Sequence, residues 1–225
     1  MSNQLPVINK NLLEIALTHR SALNEPSSGT TATEHNERLE FLGDAVLELV
    51  VSRFLFDQFP QESEGRLTAY RSSLVKTETL AKTALELELG QKIYMSHGEE
   101  AGGGRTNSSL LANTMEAVIG AIYLDQGLEQ ARWFIKQNII PKLDEIRQKR
   151  LYKDAKSQLQ EVVQAVGQPT PEYEVVKSVG KDHAKTFTVA VKVGEKVLGK
   201  GTGSSKQQAQ QVAATHALTE FEKSR

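Results

Sequence analysis

Cysteine is absent from all 225 residues. That removes disulfides, thiolate metal sites and cysteine nucleophiles, and it fits a reducing compartment. No uninterrupted apolar run approaches the roughly 18 residues that a bilayer crossing needs, and the start, MSNQLPVINK, lacks the apolar segment of a signal peptide. A soluble, cytoplasmic protein without a membrane partner is the expectation. The five histidines, at 19, 35, 97, 183 and 216, are scattered without zinc spacing. No Ser-His-Asp or Cys-His arrangement stands out. Net charge is also nearly absent, at −1, until the chain is divided. Residues 151–225 hold 11 Lys/Arg against 8 Asp/Glu, whereas residues 1–150 hold 16 against 20. A basic module suited to an anionic partner thus follows an acidic module suited to cations.

What is present changes character near residue 150. Before it, apolar residues recur at three and four over 11–23, 36–59, 66–89, 107–125 and 128–148, which predicts helices and no strand. SSGTTAT (27–33) reads as a polar loop and GEEAGGGR (98–105) as a flexible glycine-rich one. After KRLYKDAKS, a short polar stretch able to act as a hinge, a helix over about 155–166 precedes GQPTP. The segments EYEVVKSV, AKTFTVAVKV and KVLGKGT then alternate with the period of strands, and a last helix opens at Ser204 or Ser205. The predicted architecture is an all-α domain over 1–150 followed by a small α+β (α-β-β-β-α) domain over 151–225.

The stretch ERLEFLGDAVLELV (37–50) is apolar, yet it places Glu37, Glu40, Asp44 and Glu48 within an arc of about 80° on one side of a helix. Leu39, Leu42, Val46, Leu49 and Val50 would line the core on another side, while Phe41, Leu47 and Val51 border the acidic stripe. Like charges at this spacing cost a few tenths of a kcal/mol even in water, so the stripe calls for a compensating arrangement. A hard divalent cation such as Mg²⁺ held by oxygen ligands would supply it. Raised carboxyl pKa values, or salt bridges to Arg or Lys elsewhere, would serve as well. On SLLANTMEAVIGAIYLD (109–125), Asn113 and Glu116 share a face with Ala117 and Gly120, small residues that admit a second helix closely. Gly43 offers the matching gap on the first helix, so the pair can bring Glu40, Asp44, Asn113 and Glu116 to one oxygen-rich site.

At these residues the chain resembles bacterial ribonuclease III over essentially its whole length. ERLEFLGDAVL is that family's most diagnostic block, and LTHRSALNE (17–25), ESEGRLTAYRSSLV (62–75), GEEAGGGR (98–105) and LLANTMEAVIGAIYLD (110–125) follow in the family's order and spacing. The resemblance implies a homodimeric, all-helical endonuclease domain and a double-stranded-RNA-binding domain. It implies cleavage of duplex RNA with Mg²⁺, or Mn²⁺ in its place, and no small-molecule cofactor. Products would carry 5′-phosphate and 3′-hydroxyl ends, and ribosomal RNA precursors and structured messengers are the implied substrates. By the same resemblance Glu40, Asp44 and Glu116 hold metal, with Asp44 and Glu116 catalytic. Glu37 and Glu64 lie near the cut site, and Phe41 enters a pocket of the other subunit. Asn113 stands where many members have an aspartate. An amide oxygen still binds Mg²⁺ or orders water, but one negative charge is lost. A duplex-RNA binder without catalysis is the alternative that Asn113 raises.

In the C-terminal part, SQLQEVVQ, PEY, DHAKTFTV and GTGSSKQQAQQVAATHAL resemble the elements of a double-stranded-RNA-binding domain. Such domains touch 2′-hydroxyls in successive minor grooves and the phosphates between them. The resemblance assigns Gln158 and Glu161 to one minor groove and His183 to another. Lys206 is assigned to phosphate at a helix N-terminus, with Lys185 and Ser205 beside these contacts. The family often has two lysines where this chain has Lys206 and Gln207. GTG (201–203) lacks the strand-to-helix setting of a nucleotide loop and reads as part of the turn before the last helix.

Overall fold

The computed structural model describes residues 5–6, 8–148, 155–180 and 185–223. The chain forms two compact units, Met1–Tyr152 and Lys153–Arg225. Among the described residues no helix is long and apolar enough to cross a membrane.

The first unit is helical: α1 (Lys10–Ala16), α2 (Glu37–Gln58), α3 (Glu64–Val75), α4 (Thr77–Glu86), α5 (Leu89–Lys92), α6 (His97–Ala101), α7 (Ser108–Asn138) and α8 (Lys142–Gln148). Its starts are capped as the residue types dictate. The Asn9 side chain accepts from the N–H groups of Asn11 and Leu12, Ser63 from Arg66, and Asn107 from Ser109 and Leu110. Leu47, Leu55, Leu74, Leu80, Met115, Ile119, Ile122 and Phe134 are among the fully buried side chains of one continuous core, and removing their apolar surface from water is the main drive for the fold.

Several predicted helices prove to be shorter pieces. The helix expected over 11–23 stops at Ala16, because Thr18 forms a parallel bridge with Tyr94. The Tyr94 N–H donates to the Leu17 carbonyl at 2.8 Å and the His19 N–H to the Tyr94 carbonyl at 2.9 Å. The 66–89 pattern spans two helices that part at Lys76, whose ψ of 152° is extended, with the Thr79 hydroxyl donating to the Ser73 carbonyl at 2.7 Å across the break. Leu74, Leu80, Ala81 and Ala84 face the same core on both sides of that corner, so their periodicity conceals it. The two stretches 107–125 and 128–148 are joined and re-divided. α7 runs on to Asn138 but is broken at Gly127 (φ 79°, ψ −178°), a conformation only glycine adopts without strain. GEEAGGGR is not a free loop. It holds α6 and a 3-10 turn (Gly104–Thr106), fastened by Arg105, which donates to Glu100 at 2.5 Å and to the Gly90 and Ile93 carbonyls at 2.9 and 3.3 Å.

The second unit contains α9 (Ala155–Gln164), an antiparallel sheet of β1 (Glu172–Val179), β2 (Thr186–Val193) and β3 (Lys196–Gly203) in the order β1-β2-β3, and α10 (Lys206–Lys223). The α-β-β-β-α order is as predicted. Leu159 and Val163 meet Val189, Val191, Ala209, Ala213, Ala214 and Ala217 in a separate core. The glycines of β3 have a larger part than the turn expected of GTG. A Cβ on Gly199, Gly201 or Gly203 would stand 2.5, 2.2 or 2.7 Å from backbone atoms of Ala213 or Ala209, so their bare face lets α10 lie on the strand. Ser205 caps the Gln208 N–H at 3.1 Å, and Gln208 accepts in turn from the N–H and hydroxyl of Ser204, one residue before the cap, at 2.8 Å, which fastens the start of α10.

Candidate active site and RNA-binding surface

Two glycines create the acidic site. A Cβ on Gly43 of α2 would sit 1.8 Å from the Glu116 carbonyl oxygen of α7, and one on Gly120 would sit 2.3 Å from the Leu39 carbonyl. The helices therefore cross backbone against backbone, and Glu116 is held beside Glu40 and Asp44, which flank Gly43 one turn apart. Buried Leu39, Val46 and Val50 fix the rotation of α2, as expected. Leu42 is only half-buried and Leu49 is 57% exposed, so these two do not belong to the core.

The four carboxylates of the stripe have different solutions. Glu48 pairs with Arg71 of α3 at 3.0 Å, and Arg71 also donates to Ser52 at 3.0 Å. Glu37 stands in the first turn of α2, where the helix dipole favours an anion, and lies 3.6 Å from the exposed Arg20 guanidinium. Both carboxylates bordering the glycine crossing stay acid-rich. Burial, then the charges of Glu37 and Asp44, push the Glu40 carboxyl up, while a hydrogen bond from the Asn113 amide opposes the shift. Glu116 is pushed up to about 7 by burial, then by the charges of Asp44 and Glu40. Among the described residues no basic side chain offsets either shift. Asp44 itself is exposed.

Among the described residues no group of three or more His, Asp or Glu side chains is drawn close enough to enclose a metal. The donor chemistry nonetheless fits a hard divalent cation. Mg²⁺ is commonly held by one or two carboxylates with water and substrate phosphate, and here an exposed and two half-buried carboxylates converge beside an amide with an uncompensated negative charge. Glu64 is the exposed first residue of α3, where it accepts from the Thr68 hydroxyl at 2.9 Å. Its charge contributes to the shift of neither Glu40 nor Glu116. Within this one chain it is not brought into the cluster. Phe41 points away from the core and is 80% exposed. It borders a groove of about 640 Å³ whose walls include Leu12, Ile15, Leu39, Leu42 and Leu124.

On the second unit, Gln158 is half-buried and Glu161 exposed on α9, about 60° apart around the helix. Lys185 precedes β2, while Ser205 and Lys206 stand exposed at the α10 N-terminus. His183 lies outside the described residues. No pattern in the sequence singles out Lys156. Its Nζ donates to Gln210 Oε1 at 2.9 Å and lies 4.9 Å from the centre of the Tyr173 ring, across three separate elements. Only the packing of α9 on α10 and β1 reveals it, because those partners are 17 and 54 positions away along the chain.

Comparison with known proteins agrees with both halves of this description. The ribonuclease-III-like family matches residues 9–143, and the double-stranded RNA binding motif matches residues 155–220. Ribonuclease 3 of Bdellovibrio bacteriovorus is 46% identical over 211 residues, which cover 93% of this chain and 89% of that protein. Ribonuclease 3 of Geobacillus thermodenitrificans is 47% identical over 210 residues, covering 93% and 84%. A crystal structure of the ribonuclease III nuclease domain from Campylobacter jejuni is similar to the first unit, with 44% identity, a TM-score of 0.54, and coverage of 61% of this chain and 88% of that one. A helical nuclease domain with an acidic cluster, followed by a module for duplex RNA, defines the class as an endoribonuclease specific for double strands. The chain belongs to the ribonuclease III family.

Proposed function

We propose that Glu40, Asp44 and Glu116, with the amide of Asn113, form the metal-dependent centre at which this chain hydrolyses phosphodiester bonds of double-stranded RNA. Asp44 and Glu116 act as its catalytic carboxylates. The observation that carries this reading is the raised carboxyl of Glu116, pinned by the Gly43 crossing beside the two further carboxylates of Glu40 and Asp44. Mg²⁺, or Mn²⁺ in its place, would lower the pKa of a bound water and neutralise charge building on the phosphate. The chain supplies the rest. The Asn113 amide donates to Glu40 and keeps that carboxylate ionised more readily than burial alone would allow. Exposed Asp44 forms the side of the cluster open to substrate.

Products with 5′-phosphate and 3′-hydroxyl ends follow from attack by water on the phosphorus with departure of the 3′-oxygen. Glu37 and Glu64 are accessory to the cut. Phe41 fits the groove of a second copy, since an 80%-exposed phenylalanine beside an apolar groove is a self-complementary surface. The Campylobacter jejuni nuclease domain is described as having a region involved in dimer formation, which supports a homodimer here. The boundary between nuclease and RNA-binding domains is placed near residue 150, and Gln158, Glu161, His183, Lys185, Ser205 and Lys206 touch the duplex. Processing of ribosomal RNA precursors and structured messengers in the cytoplasm is the proposed setting. Incubation of a long RNA duplex with the protein in Mg²⁺ and in EDTA tests the reading. Shortened products confined to the Mg²⁺ reaction support it, and duplex that is bound but left whole in Mg²⁺ contradicts it.

A further inference from the structure

The start of α10 is poor in charge for a helix that meets phosphates. Of its first six residues, KQQAQQ, only Lys206 is cationic and four are glutamine. Beside these glutamines lies a cleft of about 600 Å³, walled by Lys156, Ser157 and Gln160 of α9 and by Gln207 and Gln211 of α10. Among the described residues Lys156 is the one charged side chain on its walls. Its stem is half-buried, and its ammonium is held over the Tyr173 ring and against Gln210. No carboxylate pairs with it among the described residues. An ammonium has three N–H donors, and Gln210 takes one. The ammonium keeps donors beyond that bond on a side chain that lines the cleft and whose freedom is already restricted, so little further ordering is needed when an anion arrives.

We infer that Lys156 is a phosphate-binding residue of the RNA-binding unit and that the cleft between α9 and α10 seats a backbone phosphate of the duplex. The inference rests on the reading of this unit as the part that binds double-stranded RNA. A single positive charge amid neutral hydroxyl and amide groups matches one phosphodiester, which carries one negative charge and offers two free oxygens. The cleft lies between the α9 face that bears Glu161 and the α10 start that bears Lys206. A duplex touching both would pass its backbone over it. In this chain Lys156 thus supplies, from the opposite helix, charge that Gln207 and Gln210 do not.

The test is duplex binding by the full chain in EDTA, followed by fluorescence anisotropy between 50 and 200 mM KCl. Removing one phosphate contact should make the log–log salt slope shallower by about 0.9. For Lys156→Gln, the advantage of the parent should therefore shrink about 3.5-fold across that range. Lys156→Arg should keep the parent's slope, and so should Lys196→Gln, which removes an exposed lysine from the far end of the sheet. Gln207→Lys placed on the Lys156→Gln background should restore the slope, which shows that the loss is one of charge and not of folding. A Lys156→Gln protein with the parent's slope, or a double variant that stays shallow, overturns the inference. A parent that fails to bind duplex at all overturns the reading beneath it and this one with it.

Discussion

Gly43 and Glu116 touch through their backbones, with room for no atom between the glycine Cα and the glutamate carbonyl. Gly43→Ala forces the helices apart, because a methyl 1.8 Å from a backbone oxygen cannot be accommodated by a side-chain rotation. Overpacking of this kind costs about 1–3 kcal/mol or more. In a chain of this size that lowers the melting temperature by about 2–4 °C per kcal/mol. The nuclease unit of Gly43→Ala should melt several degrees below the parent and cut poorly. A variant that melts and cuts like the parent would show that the crossing is not what sets the site.

Glu116→Gln keeps the shape of the side chain and removes its charge. Cleavage in Mg²⁺ should fall to background, while duplex binding measured in EDTA stays within about twofold of the parent, since the RNA-binding unit is a separate compact body. Cutting near the parent rate would remove Glu116 from the proposed centre.

The raised carboxyl gives a pH test whose sign is fixed. Between the ordinary value of 4.5 and about 7, folded metal-free protein keeps a proton on Glu116 that the unfolded chain has released. The folded state binds more protons in this window, so its stability falls as pH rises through it. Melts in EDTA at pH 5, 6, 7 and 8 should show the parent losing ground to Glu116→Gln as pH increases. A metal ion must displace the same proton, so the Mg²⁺ needed for half-maximal cutting should drop from pH 6 to pH 8. A constant gap between parent and variant melts would refute the shift.

Asn113→Asp exchanges an amide that donates to Glu40 for a fourth negative charge. In EDTA the site should become less stable near neutral pH, and the Mg²⁺ concentration for half-maximal activity should fall. An unchanged or higher requirement would mean that position 113 does not face the cation.

Phe41→Glu should convert the proposed dimer to monomer at micromolar concentration, read by sedimentation velocity, because a carboxylate cannot enter an apolar groove without a large desolvation cost. A dimer that persists unchanged would place the interface elsewhere.

Much of this site was legible in the chain. The three-and-four spacing of acids in ERLEFLGDAVLELV and the small residues Gly43, Ala117 and Gly120 anticipated both the stripe and the crossing that completes it. The sequence left open whether a cation, raised pKa values or salt bridges relieve the crowding, and the answer divides by residue. Glu48 and Glu37 have arginine partners, whereas Glu40 and Glu116 have carboxyls raised by burial and by their acidic neighbours. Arg20 and Arg71 could not have been named beforehand, because their partners are 17 and 23 positions away and meet them only through tertiary packing. Helix ends were less legible than helix faces. Corners such as Lys76 keep the apolar spacing intact while the backbone turns, and glycine-rich GEEAGGGR is ordered by Arg105, a partner that composition does not reveal. The glycines of β3 looked like turn residues because their real partner, the backbone of α10, is invisible in a local pattern.

The most direct measurement is anomalous diffraction from a crystal soaked in Mn²⁺. The expected result is a peak between α2 and α7 within bonding distance of carboxylate oxygens of Glu40, Asp44 or Glu116, abolished in Glu116→Gln. Mn²⁺ bound elsewhere, with these three carboxylates uncoordinated, would contradict the proposal that this crossing is the seat of the chemistry.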